Sequence, residues 1–477
     1  MNCQSYVKIR PPFKNKKVIQ QNIFRAYDIR GIYPEELNAD TATLIGRGFA
    51  AYLIKNKGME RPRVVVGQDN RTHGEELKKA FISGLAESGC QVIDIGLSPS
   101  PYLYFVNTFG QFDAGCNVTA SHNPKEYNGF KLITRNAHAV FGDDLQKIYQ
   151  IIVGDEEFPA GSGSMKEQDF LAFYLDKLKE LFRYPRSLKI VVDTGNGVAG
   201  NLYPLALRSL GHEVAELYTE LDGTFPHHVP DPIVEGNLTA LKQKVLDEKA
   251  DIGLAFDGDG DRLGVVTEKG DFIDADKTLM LLSRDALSRY PGRAVVFTVS
   301  NSQTLFDLVK EWGGNPVMCK VGHSYVEDAM NQNKAIIGGE QSGHFFLPEK
   351  YYPYDDALVT ACRLLKIASD TGKPVSLLFE AFPKTYALPE IRPECPDDVK
   401  FKVIKKVTDY FVDKYPCTTL DGIRMDFGDG GWAGIRASNT SPRLSITMEA
   451  KSEEGLEKIK QTILGHLKTY PDIKWVN

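Results

Sequence analysis

The chain has 477 residues, 42% hydrophobic and 25% charged, with a formal net charge of −6 and an isoelectric point near 5.9. That length exceeds what one core serves, and at roughly 150 residues per domain it predicts about three domains. The acidic balance excludes a broad nucleic-acid footprint, and no apolar run nears the roughly 18 residues of a membrane span. The basic start MNCQSYVKIRPPFKNKK has no apolar stretch behind it, so Cys3 does not read as a lipid anchor and a cytoplasmic protein is expected. Seven cysteines (Cys3, Cys90, Cys116, Cys319, Cys362, Cys395, Cys417) form no CxxC pair, which favours reduced thiols over zinc or disulfides.

In chain order, IFRAYDIRG (23–31) places Arg25, Tyr27 and Arg30 within seven residues; arginines this close are commonly surface ion-pair partners. Residues 63–96 then read as strand, helix, strand, with Leu77, Phe81 and Leu85 on one helical face. The same plan returns at 189–218 and 293–322, predicting three related α/β domains with helices on both sheet faces. TASHNPKEYNGFK (119–131) leaves Ser121 open as nucleophile, helix cap or ordinary turn residue, with Asn123, Pro124 and Gly129 suited to a turn. Boundaries are expected at the Gly/Ser-rich 159–168, near 268–272, and before 386–396. The remaining tail, a helix, two strands and a final helix, reads as a smaller α+β domain.

FDGDGDRLG (256–264) delivers Asp257, Asp259 and Asp261 at alternate positions after an apolar strand. Three carboxylates so close repel one another unless a cation joins them. An EF-hand would put Glu268 at the twelfth loop position, but Arg262 stands where the sixth-position glycine belongs, Gly264 stands where an apolar residue is usual, and the flanks read as strands. A Mg²⁺ site that reaches a phosphate oxygen fits better than a solvated turn. KVGHS (320–324) offers Lys320 and His323; a lone histidine there is more often structural. GGEQSGHFF (338–346) alternates Glu340, Ser342 and His344, which on an extended segment share one face and suit sugar hydroxyls, a structural turn being the alternative. It lacks the G-x-S-x-G of a hydrolase elbow. GIRASNTSPRL (434–444) combines Arg436, Ser438, Asn439 and Thr440, a donor set for a phosphate dianion or the composition of a polar hairpin.

TASHNP, DGDGDR, GEQSGH and RASNTSP in that order, with FRAYDIRG before them, make the chain resemble the α-D-phosphohexomutases, within them the phosphomannomutase/phosphoglucomutase group. The resemblance implies a four-domain, heart-shaped α/β architecture around one cleft: domains 1–163, 164–269 and 270–384 alike, and a smaller phosphate-binding domain 385–477. It implies that Ser121 carries a phosphoryl group and, with Asp257, Asp259 and Asp261, holds Mg²⁺, while Arg262 neutralises charge beside the metal. Arg30 belongs to the same catalytic set, and Lys131 and His323 are the acid/base candidates. Tyr27, Lys320, Glu340, Ser342, His344, Arg436, Ser438, Asn439 and Thr440 would bind substrate. The implied reaction interconverts hexose 1- and 6-phosphates through a hexose 1,6-bisphosphate that turns end over end, with hinge motion of the last domain. His122 reads as an orienting neighbour of Ser121.

Some members carry a basic residue where this chain runs FTVSNSQ, which gives Lys320 more weight. Gln341 departs from a frequent methionine and is shared with phosphoglucosamine mutases, one alternative; a catalytically silent sugar-phosphate binder and a metal-dependent phosphatase are others. Hexose phosphates are the expected partners, with oligomeric state and preferred sugar left open.

Overall fold

The computed structural model describes residues 19–439 and 441–475, so Thr440, a phosphate-loop candidate, and Cys3 lie outside the described residues. Two compact units emerge: the chain up to Gly270 with Lys350–Asp370, and Asp271–Glu349 with the chain from Thr371 onward.

In the first unit, β1 (Ile29–Ile32), β2 (Arg63–Gln68), β3 (Gln91–Leu97), β4 (Ala114–Val118), β5 (Tyr127–Thr134) and β6 (Ser164–Glu167) form one sheet in the order β1-β5-β4-β2-β3-β6. The helix Gly74–Glu87 joins β2 to β3, and its Leu77, Phe81 and Leu85 are fully buried, as their four-residue spacing predicts. Phe81 stacks on Phe130 of β5 at 5.1 Å, tying helix to sheet. Glu75 and Glu76 in the first helical turn complement its dipole.

The second sheet of this unit contains β7 (Lys189–Asp193), β8 (Glu213–Leu217), β9 (Ile252–Phe256) and β10 (Leu263–Thr267) in the order β10-β9-β7-β8. The short β11 (Phe272–Ile273) then enters the second unit. There β12 (Ala294–Thr298), β13 (Asn315–Cys319), β14 (Ile337–Gly339) and β15 (Phe345–Phe346) run in the order β13-β12-β14-β15.

The three sequence repeats therefore fold alike. In each, the strands of the repeat pair in parallel (β2 with β3, β7 with β8, β12 with β13), a third parallel strand adds on the other side, and a fourth turns back antiparallel. All residues of β4, β9 and β12 are buried, which requires cover on both faces. The consequence for function is positional: TASHNP, DGDGDR and GEQSGH all occupy the connection between third and fourth strand.

The last sheet is antiparallel throughout. β16 (Tyr386–Ala387), β17 (Cys417–Thr418), β18 (Ile423–Gly428), β19 (Gly431–Ala437) and β20 (Leu444–Ala450) run in the order β16-β20-β19-β18-β17. Helices Lys400–Phe411 and Glu453–Leu467 send Val403, Val407, Ile459 and Ile463 into a core with Ile435 and Ile446. RASNTSP connects β19 to β20.

Lys350–Asp370 returns to the first unit on polar anchors. Tyr174 donates to Asp356 Oδ2 at 3.0 Å and Tyr351 to the same oxygen at 2.9 Å, while Tyr184 donates to the Cys362 carbonyl at 3.0 Å. Burial raises the Asp356 pKa to about 6 despite these donors.

One local expectation needs correction. Glu340, Ser342 and His344 do not lie on an extended strand: the chain reverses between β14 and β15, with Glu340 N donating to His344 O at 2.9 Å and Gly343 N to Glu340 O at 3.1 Å. Gly343, at φ +89°, permits the reversal, so alternation does not put the three side chains on one sheet face.

Candidate active site

Ser121 follows β4 in a tight connection, at φ +50°, a conformation that L-residues enter at a cost of roughly 1–2 kcal/mol. The strain is held from both sides: Ser121 N donates to Thr119 Oγ1 at 2.9 Å, and Ser121 O accepts from Arg71 Nη2 at 2.7 Å. Its hydroxyl donates to Asp257 Oδ2 at 2.6 Å and lies 3.1 Å from His122 Nδ1.

The DGDGDR connection meets this loop directly. A Cβ on Gly258 would stand 2.4 Å from the Ser121 carbonyl oxygen, so only glycine allows the two backbones to approach so closely. Asp257 Oδ1 accepts from the backbone N–H groups of Asp261 (3.0 Å) and Arg262 (3.1 Å), which curls the loop around its first carboxylate. Ser100 Oγ donates to Asp259 Oδ2 at 2.6 Å, Lys131 Nζ reaches the same oxygen at 2.7 Å, and Lys131 also bonds Asp261 Oδ2. All three aspartates are fully buried.

The electrostatics follow from that burial. Desolvation, then Asp261 and Asp259, hold the Asp257 pKa well above the usual carboxylate range. Burial pushes Asp259 the same way, but Lys131 outweighs it and the net direction is down. For Lys131 burial opposes the charge, yet the two carboxylates keep it protonated well beyond a free lysine. Arg30 donates to Asp28 Oδ2 at 2.6 Å and Asn123 Oδ1 at 2.7 Å, and Arg262 stands 3.6 Å from Asp231. Tyr27 is half-buried just ahead of β1. Ser121, Lys131, Arg30, Arg262 and the three aspartates thus gather in one unit.

A histidine–carboxylate pair lies in the same unit. His228 places Nε2 3.2 Å from Asp193 Oδ2 and Nδ1 2.9 Å from the Val229 carbonyl, two acceptors that favour the doubly protonated ring. Burial lowers its pKa, but the bond to Asp193 outweighs that and the shift is upward. A raised histidine contributes stability below its unfolded value near 6.5 and loses that contribution as pH climbs through the folded value. In His228→Gln the melting-temperature deficit is therefore expected to be larger at pH 5.5 than at pH 8.5. A deficit independent of pH would contradict the charged form.

In the second unit, Glu340 Oε1 accepts from Gly322 N at 2.7 Å and Ser342 Oγ lies 3.4 Å from Glu340 Oε2. His323 opens the helix His323–Asn333 and its ring stacks against His344 with centroids 5.7 Å apart. Asn439 Nδ2 donates to Val321 O at 3.0 Å while Val321 N donates to Asp421 Oδ2 at 3.1 Å, so the RASNTSP loop touches the KVGHS turn. Arg436 is buried with Nη2 3.8 Å from Glu390, Ser438 Oγ pairs with Ser441 Oγ at 3.0 Å, and Lys320 is exposed with its ammonium 5.8 Å from the Tyr325 ring. These residues form a second polar group on the other unit.

Four family models match the chain in order: the phosphoglucomutase/phosphomannomutase alpha/beta/alpha domains I (residues 21–158), II (172–270) and III (274–386) and the C-terminal domain (390–466). A phosphomannomutase/phosphoglucomutase of Pseudomonas aeruginosa is 41% identical over 448 residues, 94% of this chain and 96% of that one. The chain belongs to the phosphoglucomutase/phosphomannomutase family. A phosphoglucomutase of Neisseria gonorrhoeae is 38% identical over 96% of this chain and 99% of its own. Among solved structures, a phosphoglucomutase/phosphomannomutase family protein of Burkholderia thailandensis superposes with a TM-score of 0.87 at 39% identity, covering 94% of this chain and 98% of that one.

The four-domain α/β architecture of the phosphoglucomutase/phosphomannomutase family is therefore present, and so is an acidic centre that fits a metal ion. One oxygen from each of Asp257, Asp259 and Asp261 lies within 4.8 Å of the others. Asp259 Oδ1 is buried without a hydrogen-bond partner among the described residues, which suits a cation ligand. No described helix of this family member is long and apolar enough to cross a membrane.

Sequence reasoning missed the residues that hold the loops of this family member. Arg71 and Asp69 grip the Ser121 loop, Ser100 supports Asp259, and Lys400 donates to the carbonyls of Ser438 (2.6 Å) and Ser441 (3.1 Å). The polar cluster QDNR at the end of β2 was the available signal for the first pair. Nothing in the amphipathic pattern of the helix Lys400–Phe411 distinguishes Lys400 from its surface lysines.

Proposed function

We propose that this chain is a phosphohexomutase that interconverts the 1- and 6-phosphates of mannose and glucose through a phosphoserine at position 121. The observation that carries the reading is the Ser121 hydroxyl, 2.6 Å from Asp257 inside a buried cluster of three aspartates, one lysine and two arginines. A serine hydroxyl is a weak nucleophile, whereas its phosphate ester is a donor whose transfer needs mainly positioning and charge stabilisation.

In this mechanism a hydroxyl of the bound hexose phosphate attacks the phosphorus on Ser121. The bond from phosphorus to the sugar oxygen forms as the bond to Ser121 Oγ breaks, the hydroxyl proton passes to a base, and the departing Ser121 Oγ takes up a proton to leave as the neutral hydroxyl. His323, a residue type that exchanges protons near neutrality, suits that role better than Lys131, which Asp259 and Asp261 keep protonated. Lys131, Arg30 and Arg262 offset the developing charge. Asp257, Asp259, Asp261 and a phosphate oxygen on Ser121 would hold Mg²⁺, which supplies Lewis-acid neutralisation of the transferring group. Arg436, Ser438, Asn439 and Thr440 would bind the substrate's own phosphate, and Glu340, Ser342 and His344 its hydroxyls, with Tyr27 and Lys320 as further contacts. The 1,6-bisphosphate then turns and returns its other phosphoryl group to Ser121. Boundaries after residues 163, 269 and 384 divide the chain into the four parts of this scheme.

A coupled assay with mannose, glucose and glucosamine 1-phosphates tests the reading, with released inorganic phosphate measured in parallel. The expected result is turnover on the first two with almost no free phosphate. Stoichiometric phosphate release would make the protein a phosphatase, and a preference for the amino sugar would move it to the phosphoglucosamine mutases.

A further inference from the structure

Arg71 is fully buried, and each of its five side-chain N–H donors has an acceptor. Nη1 donates to the carbonyls of Pro124 (2.7 Å) and Tyr127 (3.0 Å), Nη2 to those of Ser121 (2.7 Å) and Asn123 (2.6 Å), and Nε to Asp69 Oδ2 (3.1 Å). Four carbonyls of one short loop converge on a single guanidinium. Asp69 completes the arrangement: its Oδ1 accepts from Arg71 N at 2.9 Å and its Oδ2 from Thr119 Oγ1 at 2.7 Å, and Thr119 Oγ1 in turn accepts from Ser121 N. Both peptide groups flanking the Ser121 Cα therefore lead back to the Arg71–Asp69 pair.

We propose that Arg71 is a positioning residue for phosphoryl transfer: it locks Ser121 in its left-handed conformation and so aims Oγ at the metal loop. The proposal rests on Ser121 being the phosphoryl carrier. Arg71 is not a catalytic residue, because it has no donor left for substrate and no exposed surface to meet one. A lysine cannot substitute, since one ammonium has three donors and lacks the planar fork that spans four carbonyls. Loss of the lock lets Ser121 relax towards ordinary φ values, displacing Oγ; misplacement by about 1 Å costs on the order of 100-fold in rate.

The experiment compares full-length Arg71→Lys and Thr119→Val with wild type, measuring kcat and KM for glucose 1-phosphate and the phosphoserine content of each preparation. For Arg71→Lys, kcat per phosphorylated molecule is expected to fall about 30- to 100-fold with KM changed less than about threefold. Thr119→Val removes the amide tether and its link to Asp69, keeps the volume nearly constant and leaves the Arg71 bonds in place, and is expected to show a smaller loss of the same kind. A purely structural role would lower the phosphorylated, folded fraction and leave kcat per phosphorylated molecule at the wild-type value in both variants. That outcome, or a rise in KM with kcat intact, overturns the proposal. Full turnover in Ser121→Ala would instead overturn the phosphoserine reading beneath it, so the two failures are distinguishable.

Discussion

Ser121→Ala is expected to lower turnover on glucose 1-phosphate and mannose 1-phosphate by at least about four orders of magnitude, with no phosphorylated form in its intact-mass spectrum. The magnitude follows from the proposed role of Ser121 as the phosphoryl carrier. His122, the nearest candidate nucleophile, lies 3.1 Å from the Ser121 hydroxyl, but the hydrogen bond to Asp257, the grip of Arg71 and the approach of Gly258 all centre on residue 121. The fold itself should tolerate the change, since it removes one oxygen and relieves no packing; a melting temperature close to wild type would confirm that the loss is chemical. An alanine variant that keeps more than about a tenth of the turnover would remove Ser121 from the reaction.

Lys131→Met is expected to give the largest effect on stability. The ammonium bonds both Asp259 and Asp261, each fully buried, and its removal takes away the cation bonded to both, leaving the charges of Arg30 and Arg262 nearby. Breaking a buried pair in this way costs about 3–5 kcal/mol. At roughly 2–4 °C per kcal/mol for a unit of this size, the melting temperature should fall by about 6–20 °C in chelator at pH 8, where proton uptake relieves little of the penalty. Adding Mg²⁺ or Mn²⁺ supplies positive charge to the same carboxylates, so the cation should raise the melting temperature more in the variant than in wild type. Equal melting in chelator, together with equal responses to metal, would contradict a shared site for lysine and cation.

The repeats at 63–96, 189–218 and 293–322 were legible because each contains an apolar strand, a helical stretch and a second strand, with a four-residue periodicity in the first, all local patterns. Strand order was not: that β4, β9 and β14 add beside the first strand of each repeat depends on pairing between distant segments. The acidic loop announced itself by charge density, since Asp257, Asp259 and Asp261 repel one another in one turn unless a cation joins them. Ser121 had no such signal in its own segment, where turn and nucleophile use the same residues. The Glu340 segment misled because alternation implies a strand only if the chain stays extended, and Gly343 lets it reverse. Arg71 and Lys400 escaped notice because a carbonyl clamp is defined by where backbone oxygens converge, which no side-chain pattern records.

The contact of Gly258 with the Ser121 carbonyl also limits where the protein can yield. Two connections from different sheets, one bearing Ser121, the proposed phosphoryl carrier, and one the three aspartates, meet backbone to backbone without room for a methyl group. They behave as a welded corner: a bisphosphate turning as proposed would gain no slack by prising these loops apart, and any such gap would separate the serine from its aspartates in the same movement.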